Sequence, residues 1–155
     1  MFVNTFHVLN RLFKHNIVPK ASMFCNGVNA IRVSRNKKSK WYVTWEEFPN
    51  YRFDPYCTGF FVIISSELIP AMYEESQYVR FLWIDDYWMS AMLGKAVNVQ
   101  LIFRNNHIII KPEKIRENYK KRIDGLYGAH MDHDLNFLIE MWNHLLVSYG
   151  YAKKD

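Results

Sequence analysis

At 155 residues, half of them hydrophobic and 17% aromatic, the chain has enough length for a real core and far too much apolar content for disorder. Its formal charge of +5 suits a phosphate-bearing partner, yet Lys and Arg gather only in two modest clusters, at 32–40 and 111–122. Two cysteines, Cys25 and Cys57, exclude a disulfide scaffold and a cysteine-based metal site; they either bridge in a secretory lumen or stay as buried thiols.

In chain order, Asn4 is placed to cap a helix whose Phe6, Leu9 and Phe13 share one face and which ends before Pro19. The opening run, MFVNTFHVLNRLFKHN, is interrupted by Asn, His, Arg and Lys and does not read as a signal peptide. No apolar run approaches the roughly 20 residues a membrane span requires. Residues 21–25 and 42–44 read as short strands joined by a basic loop. The continuous apolar run at 60–64 predicts a strand covered on both faces. Ser65 or Ser66 then caps a helix to about Gln77, with Leu68, Met72 and Tyr73 at helical spacing.

Another strand is predicted at 81–84. Asp85 or Asp86 caps the helix that follows over 87–96. Strands are expected at 101–103, 107–110 and 126–129. The final helix carries Leu135, Leu138, Ile139, Trp142, Leu145 and Leu146 as an apolar stripe. Neither repeats nor a linker break the chain, so the class is α/β in one domain over 1–155. The paired carboxylates Asp85 and Asp86, set between apolar elements, are costly to desolvate and mark the place to look for chemistry.

Those acids belong to an ordered set. Arg35, the SKWYV run at 39–43, Phe48-Pro49, the PYCTG run at 55–59, Ser65 and Asp85-Asp86 follow one another in the order and spacing of a known family. The set resembles the β1,3-galactosyltransferase-like enzymes of glycosyltransferase family 31. The opening Met1-Phe2-Val3-Asn4 is similar to the stretch that follows that family's acidic metal motif. The resemblance implies the C-terminal, acceptor-side portion of a GT-A-like nucleotide-sugar transferase, with the nucleotide-binding half and its metal carboxylates upstream of residue 1. It also implies full-length relatives anchored in the Golgi membrane through an N-terminal segment, with their catalytic part lumenal.

The chemistry so implied is an inverting transfer of a hexose from a UDP-sugar to a glycan acceptor, with Mn²⁺ at the leaving diphosphate. By resemblance Asp86 is the base, and Asp85 orients the acceptor or tunes its neighbour. His130 is the metal ligand, with His133 as rival. Arg35 and Lys40 face the diphosphate or are ordinary loop charges; Trp41 and Tyr42 offer a sugar an aromatic surface or pack in the core. Gly59 permits a close approach that a side chain would block. Phe60, Phe61 and Val62 stand where the family carries Gly and Tyr, and Ser90 or Ala91 where it carries Gly.

Without carboxylates to coordinate it, a single His holds Mn²⁺ poorly, so the 155 residues alone are expected to transfer no sugar. Two other readings compete: a non-catalytic remnant that binds glycans or a partner, and a small basic nucleic-acid-binding protein. The last finds no zinc ligands and no RNP-type motif, and the aromatics sit in apolar runs rather than among the basic residues.

Overall fold

The computed structural model describes residues 1–15, 19–117, 119–131 and 133–153. In chain order these form β1 (Phe2–Val3), α1 (Thr5–His15), β2 (Ser22–Val28), β3 (Tyr56–Ile64), α2 (Leu68–Glu75) and α3 (Asp85–Tyr87). A π-helical stretch (Trp88–Leu93) runs on from α3 into α4 (Gly94–Ala96). Then come β4 (Gln100–Phe103), β5 (Ile108–Ile109), α5 (Pro112–Arg116), α6 (Tyr119–Arg122), a 3₁₀ turn (Ile123–Gly125), β6 (Gly128–Ala129) and α7 (Leu135–Ser148). The mixed α/β class read from the sequence is the one that forms. Two compact units contain these elements, Met1–Ile17 with Asn105–Asp155, and Val18–Arg104.

The first unit is built on a sheet of order β1-β6-β5, with β1 antiparallel and β5 parallel to β6. Asn4 is its organising residue. Its side-chain oxygen accepts the His7 N–H at 2.9 Å and so caps α1, as the sequence indicates. Its amide nitrogen meanwhile donates to the Ile123 carbonyl at 2.8 Å. Asn4 is fully buried, so this polar side chain is held only because both ends are satisfied.

Helix α1 buries Val8 rather than Leu9, which is 49% exposed; the Phe13 side chain lies outside the described residues. Helix α7 keeps part of its predicted face, with Leu145 buried and Leu138 packed against the core. Phe137 and Met141 complete the buried stripe in place of Leu135, Ile139 and Trp142, which are exposed. A helix apolar on more than one side does not reveal from spacing alone which side faces the core. The Asp134 carboxylate caps α7 by accepting the Phe137 N–H at 2.9 Å, and it pairs with Arg116. That N–H, and then Arg116, hold its carboxyl below the ordinary range.

The second unit carries a sheet of order β3-β2-β4, with β2 antiparallel to β3 and parallel to β4. Cys25 on β2 and Cys57 on β3 form a disulfide, both fully buried, which resolves the alternatives left open by the sequence. The β2–β3 register is broken in a way that matters for the site. Cys25 pairs with Val62 and Gly27 with Cys57, so residues 58–61 bow out opposite Asn26 alone. The Thr58 hydroxyl donates to the Asn26 carbonyl at 3.1 Å, which holds the bow in place. Strand β3 therefore starts at Tyr56, four residues earlier than predicted. It is not covered on both faces: within 60–64 only Phe61 is buried.

Three further expectations are corrected. Residues 42–44 make one isolated bridge, Ser34 to Tyr42, because the carbonyls of Val43 and Thr44 are taken by a side chain. Residues 81–84 keep the strand-like alternation, with Leu82 and Ile84 buried and Phe81 and Trp83 exposed, but they form no strand. Ser65 does not cap α2. Its hydroxyl accepts the Ser22 N–H at 3.1 Å, and Glu67 precedes the helix without a side-chain cap.

Candidate active site

The helix starts earlier than foreseen, so the acidic pair does not cap it: Ile84 holds the cap position, and Asp85 and Asp86 are the first two residues of α3. The Asp85 carboxylate is exposed and accepts the Asp86 N–H at 2.9 Å. Asp86 is held from two sides. One carboxylate oxygen accepts the Tyr87 N–H at 2.9 Å, and the other accepts the Gly59 N–H from the bowed segment of β3 at 3.1 Å. The bulge thus aims a backbone donor at the acid. A carboxylate has about four acceptor positions, so two remain for a ligand.

Gly59 serves this contact through its N–H. A Cβ there would stand 3.4 Å from the Asp86 Cβ, within ordinary contact, so the residue keeps the approach to the acid uncluttered rather than meeting a backbone requirement. Ser90 fixes the other end. Its buried hydroxyl donates to the Asp86 carbonyl at 2.6 Å and accepts the Cys57 N–H at 2.9 Å. Ser90 therefore ties the acidic turn to the disulfide-bearing strand.

Tyr87 anchors the turn from below. It is buried among Phe48, Phe53 and Tyr56, with ring centroids 5.3, 4.4 and 5.4 Å away. Edge and tilted contacts of this kind contribute about 0.5–1.5 kcal/mol each beyond area burial. Burial, then the Asp86 charge, push the Tyr56 phenol up to about 12, so it stays protonated at neutral pH and can donate a hydrogen bond there.

Arg35 spends its guanidinium on the loop. One nitrogen donates to the carbonyls of Val43 and Thr44, both at 2.7 Å; the other donates to Phe48 at 2.6 Å and Asn50 at 2.9 Å. Its plane lies over the Trp45 ring at 3.8 Å. This geometry makes it a clamp for residues 43–50. The Lys40 ammonium is 4.9 Å over the Trp41 ring, and Tyr42 is half-buried with its N–H on the Ser39 carbonyl. Trp41 is 52% exposed and stacks on Trp83, which sequence reasoning missed as a site residue. The signal available for Trp83 was its place on the outward side of the alternating 81–84 run, two residues ahead of Asp85.

His130 follows β6 in the other unit, with its N–H on the Ile109 carbonyl. With His133, Asp134 and Leu138 it lines a small cavity of about 160 Å³. His133 is exposed and adopts a left-handed backbone, φ +65°. Among the described residues no three His, Cys, Asp or Glu side chains converge on one point, and Asp134 is already engaged by Arg116 and the Phe137 N–H. These residues do not make a cation site by themselves.

The Galactosyltransferase family profile matches residues 1–104. Beta-1,3-galactosyltransferase 2 of Homo sapiens is 27% identical over 146 residues, which cover 94% of this chain and 34% of that protein. The Mus musculus protein of the same name gives the same figures. Beta-1,3-galactosyltransferase 1 of Mus musculus is 27% identical over 95 residues, 61% of this chain and 29% of its own length. The chain thus spans about a third of the length of the relatives it matches. The profile takes in the acidic turn, the bowed strand, the disulfide and the Arg35 loop together. By that match the chain belongs to the galactosyltransferase family.

Proposed function

We propose that this chain supplies the acceptor side of a GT-A-type hexosyltransferase that moves a hexose from a UDP-sugar to a glycan by inversion, forming a β1,3 linkage. The observation that carries this reading is the Asp86 carboxylate, held by two backbone N–H groups from different elements with acceptor capacity to spare. In the reaction an acceptor hydroxyl gives its proton to Asp86 as its oxygen attacks the anomeric carbon. The bond from that carbon to the diphosphate breaks on the opposite face, and UDP leaves with the electron pair. Asp85, exposed and adjacent, orients the acceptor. Ser90 and Tyr87 hold the turn, and Arg35 shapes the loop beside it rather than reaching for phosphate.

Mn²⁺ would neutralise the leaving diphosphate, with His130 as the ligand this chain would offer. The disulfide fits the oxidising lumen of the secretory path, in keeping with a Golgi enzyme. Among the described residues no helix is long and apolar enough to cross a membrane.

The test is transfer from a radiolabelled UDP-hexose to a panel of disaccharides by the full-length protein that contains this chain. The expected result is divalent-cation-dependent label in the glycan. Glycan binding with no transfer under any cation would favour a binding module instead.

A further inference from the structure

Trp41 and Trp83 come from segments of the chain that are 42 positions apart, yet their rings stack with planes within 5° and centroids 6.2 Å apart. Neither is in the core: they are 52% and 38% exposed. Both are held by fixed backbone. Leu82 and Ile84, buried on either side of Trp83, set its outward direction, and the Arg35 clamp on the carbonyls of Val43 and Thr44 fixes the loop that carries Trp41.

Two parallel indoles left half open to water are a ready surface for the C–H face of a pyranose ring, since apolar area gains most when covered. Core packing does not account for an exposed pair. The cation–π contact of Lys40 with Trp41 does not account for Trp83.

Positive charge gathers on the Trp41 side of the pair. Lys40 stands over Trp41, Lys37 and Lys38 are exposed in the same turn, and none of the three has an ion pair among the described residues. The exposed Asp85 carboxylate lies two residues beyond Trp83, at the opposite end of the pair from Lys40 along the chain, and Glu47 accepts both the N–H and the hydroxyl of Thr44 at 2.8 Å.

We infer that Trp41 and Trp83 form the platform on which an acceptor sugar stacks, and that Lys40, with Lys37 and Lys38, selects a glycan acceptor bearing an anionic substituent. The substituent is a sulfate or a carboxylate, either of which accepts a charge-assisted hydrogen bond from an ammonium. This rests on the glycosyltransferase reading, because it names the acceptor of the same site.

The experiment uses the full-length enzyme with a neutral disaccharide, its sulfated counterpart and a uronate-containing disaccharide as acceptors. Saturation-transfer NMR of the sugar C–H protons reports binding without any need for transfer. The expected KM for an anionic acceptor is about tenfold below that of the neutral one. The gap closes as NaCl is raised.

K40Q brings the KM of the anionic acceptor close to that of the neutral one. W83L raises the acceptor KM about tenfold with kcat and the UDP-sugar KM unchanged, and W83F, which keeps a ring, restores part of the loss. Comparing the sulfated and uronate arms tells which anion is preferred.

Transfer by wild type with an acceptor KM that W83L does not move, or equal KM values for neutral and anionic acceptors, overturns the inference and leaves the transferase reading standing. Anionic glycan binding lost in W83L, with no transfer by wild type, sinks the transferase reading and keeps the platform.

Discussion

Replacing Asp86 by Asn in the full-length enzyme is expected to lower kcat/KM by about 10²–10⁴-fold, the range a positioned general base contributes. The substitution is nearly isosteric and keeps one side-chain oxygen as an acceptor. Its new NH₂ group, however, must face either the Gly59 or the Tyr87 N–H, which are both donors. Gly59 is exposed and its N–H can turn to water, so the mismatch costs only about 0.5–1.5 kcal/mol of stability, and assays are run well below the variant's unfolding transition. D85N provides the contrast. Asp85 is exposed and accepts only its neighbour's N–H, so activity is expected to fall by less than about tenfold. Steady-state kinetics on both variants decide the assignment: a deep loss in D85N with a nearly active D86N would move the base to Asp85.

The second large effect is on stability. Arg35→Met removes the donors to four carbonyls, on Val43, Thr44, Phe48 and Asn50, together with the plate over Trp45. Water can reach the Asn50 carbonyl, but the inner three sit in a half-buried loop against the Phe48–Phe53–Tyr87 cluster. A loss of about 3 kcal/mol is expected, read as a lower urea midpoint with an unchanged slope. The informative companion is the donor KM, measured at low temperature where the variant is folded. A clamp predicts little change there. An unmoved midpoint with a donor KM raised more than about tenfold would instead return Arg35 to the diphosphate.

The contrast between these residues shows what a sequence can and cannot say. The Asn4 cap was legible because a side-chain acceptor before an apolar helix has few other uses. Asp85, Asp86, Gly59 and the two cysteines stood out only as members of short runs with restrictive residue types, the state of the cysteines being left open. What joins them was not legible. The bow at 58–61 depends on the register of two strands paired across about thirty intervening residues, and only that register brings the Gly59 N–H to Asp86. Ser90 looked like a small-residue replacement; its hydroxyl acquires meaning when the helix sets it between Cys57 and the Asp86 carbonyl.

Arg35 was equally consistent with phosphate and with carbonyls, since a guanidinium serves both. The 81–84 run had the right alternation for a strand but found no strand partner, because buried flanks alone do not create a ladder. In α7, apolar residues on several sides left the inward face undetermined until the sheet beneath it was in place.

The measurement that tests the central claim most directly is the anomeric configuration of the product. The full-length enzyme is given an α-linked UDP-hexose and a glycan acceptor, and the anomeric configuration of the new glycosidic linkage is read by proton NMR. A single displacement assisted by Asp86 predicts a β-linked product. An α-linked product would contradict the account, because retention cannot follow from one in-line attack with one base.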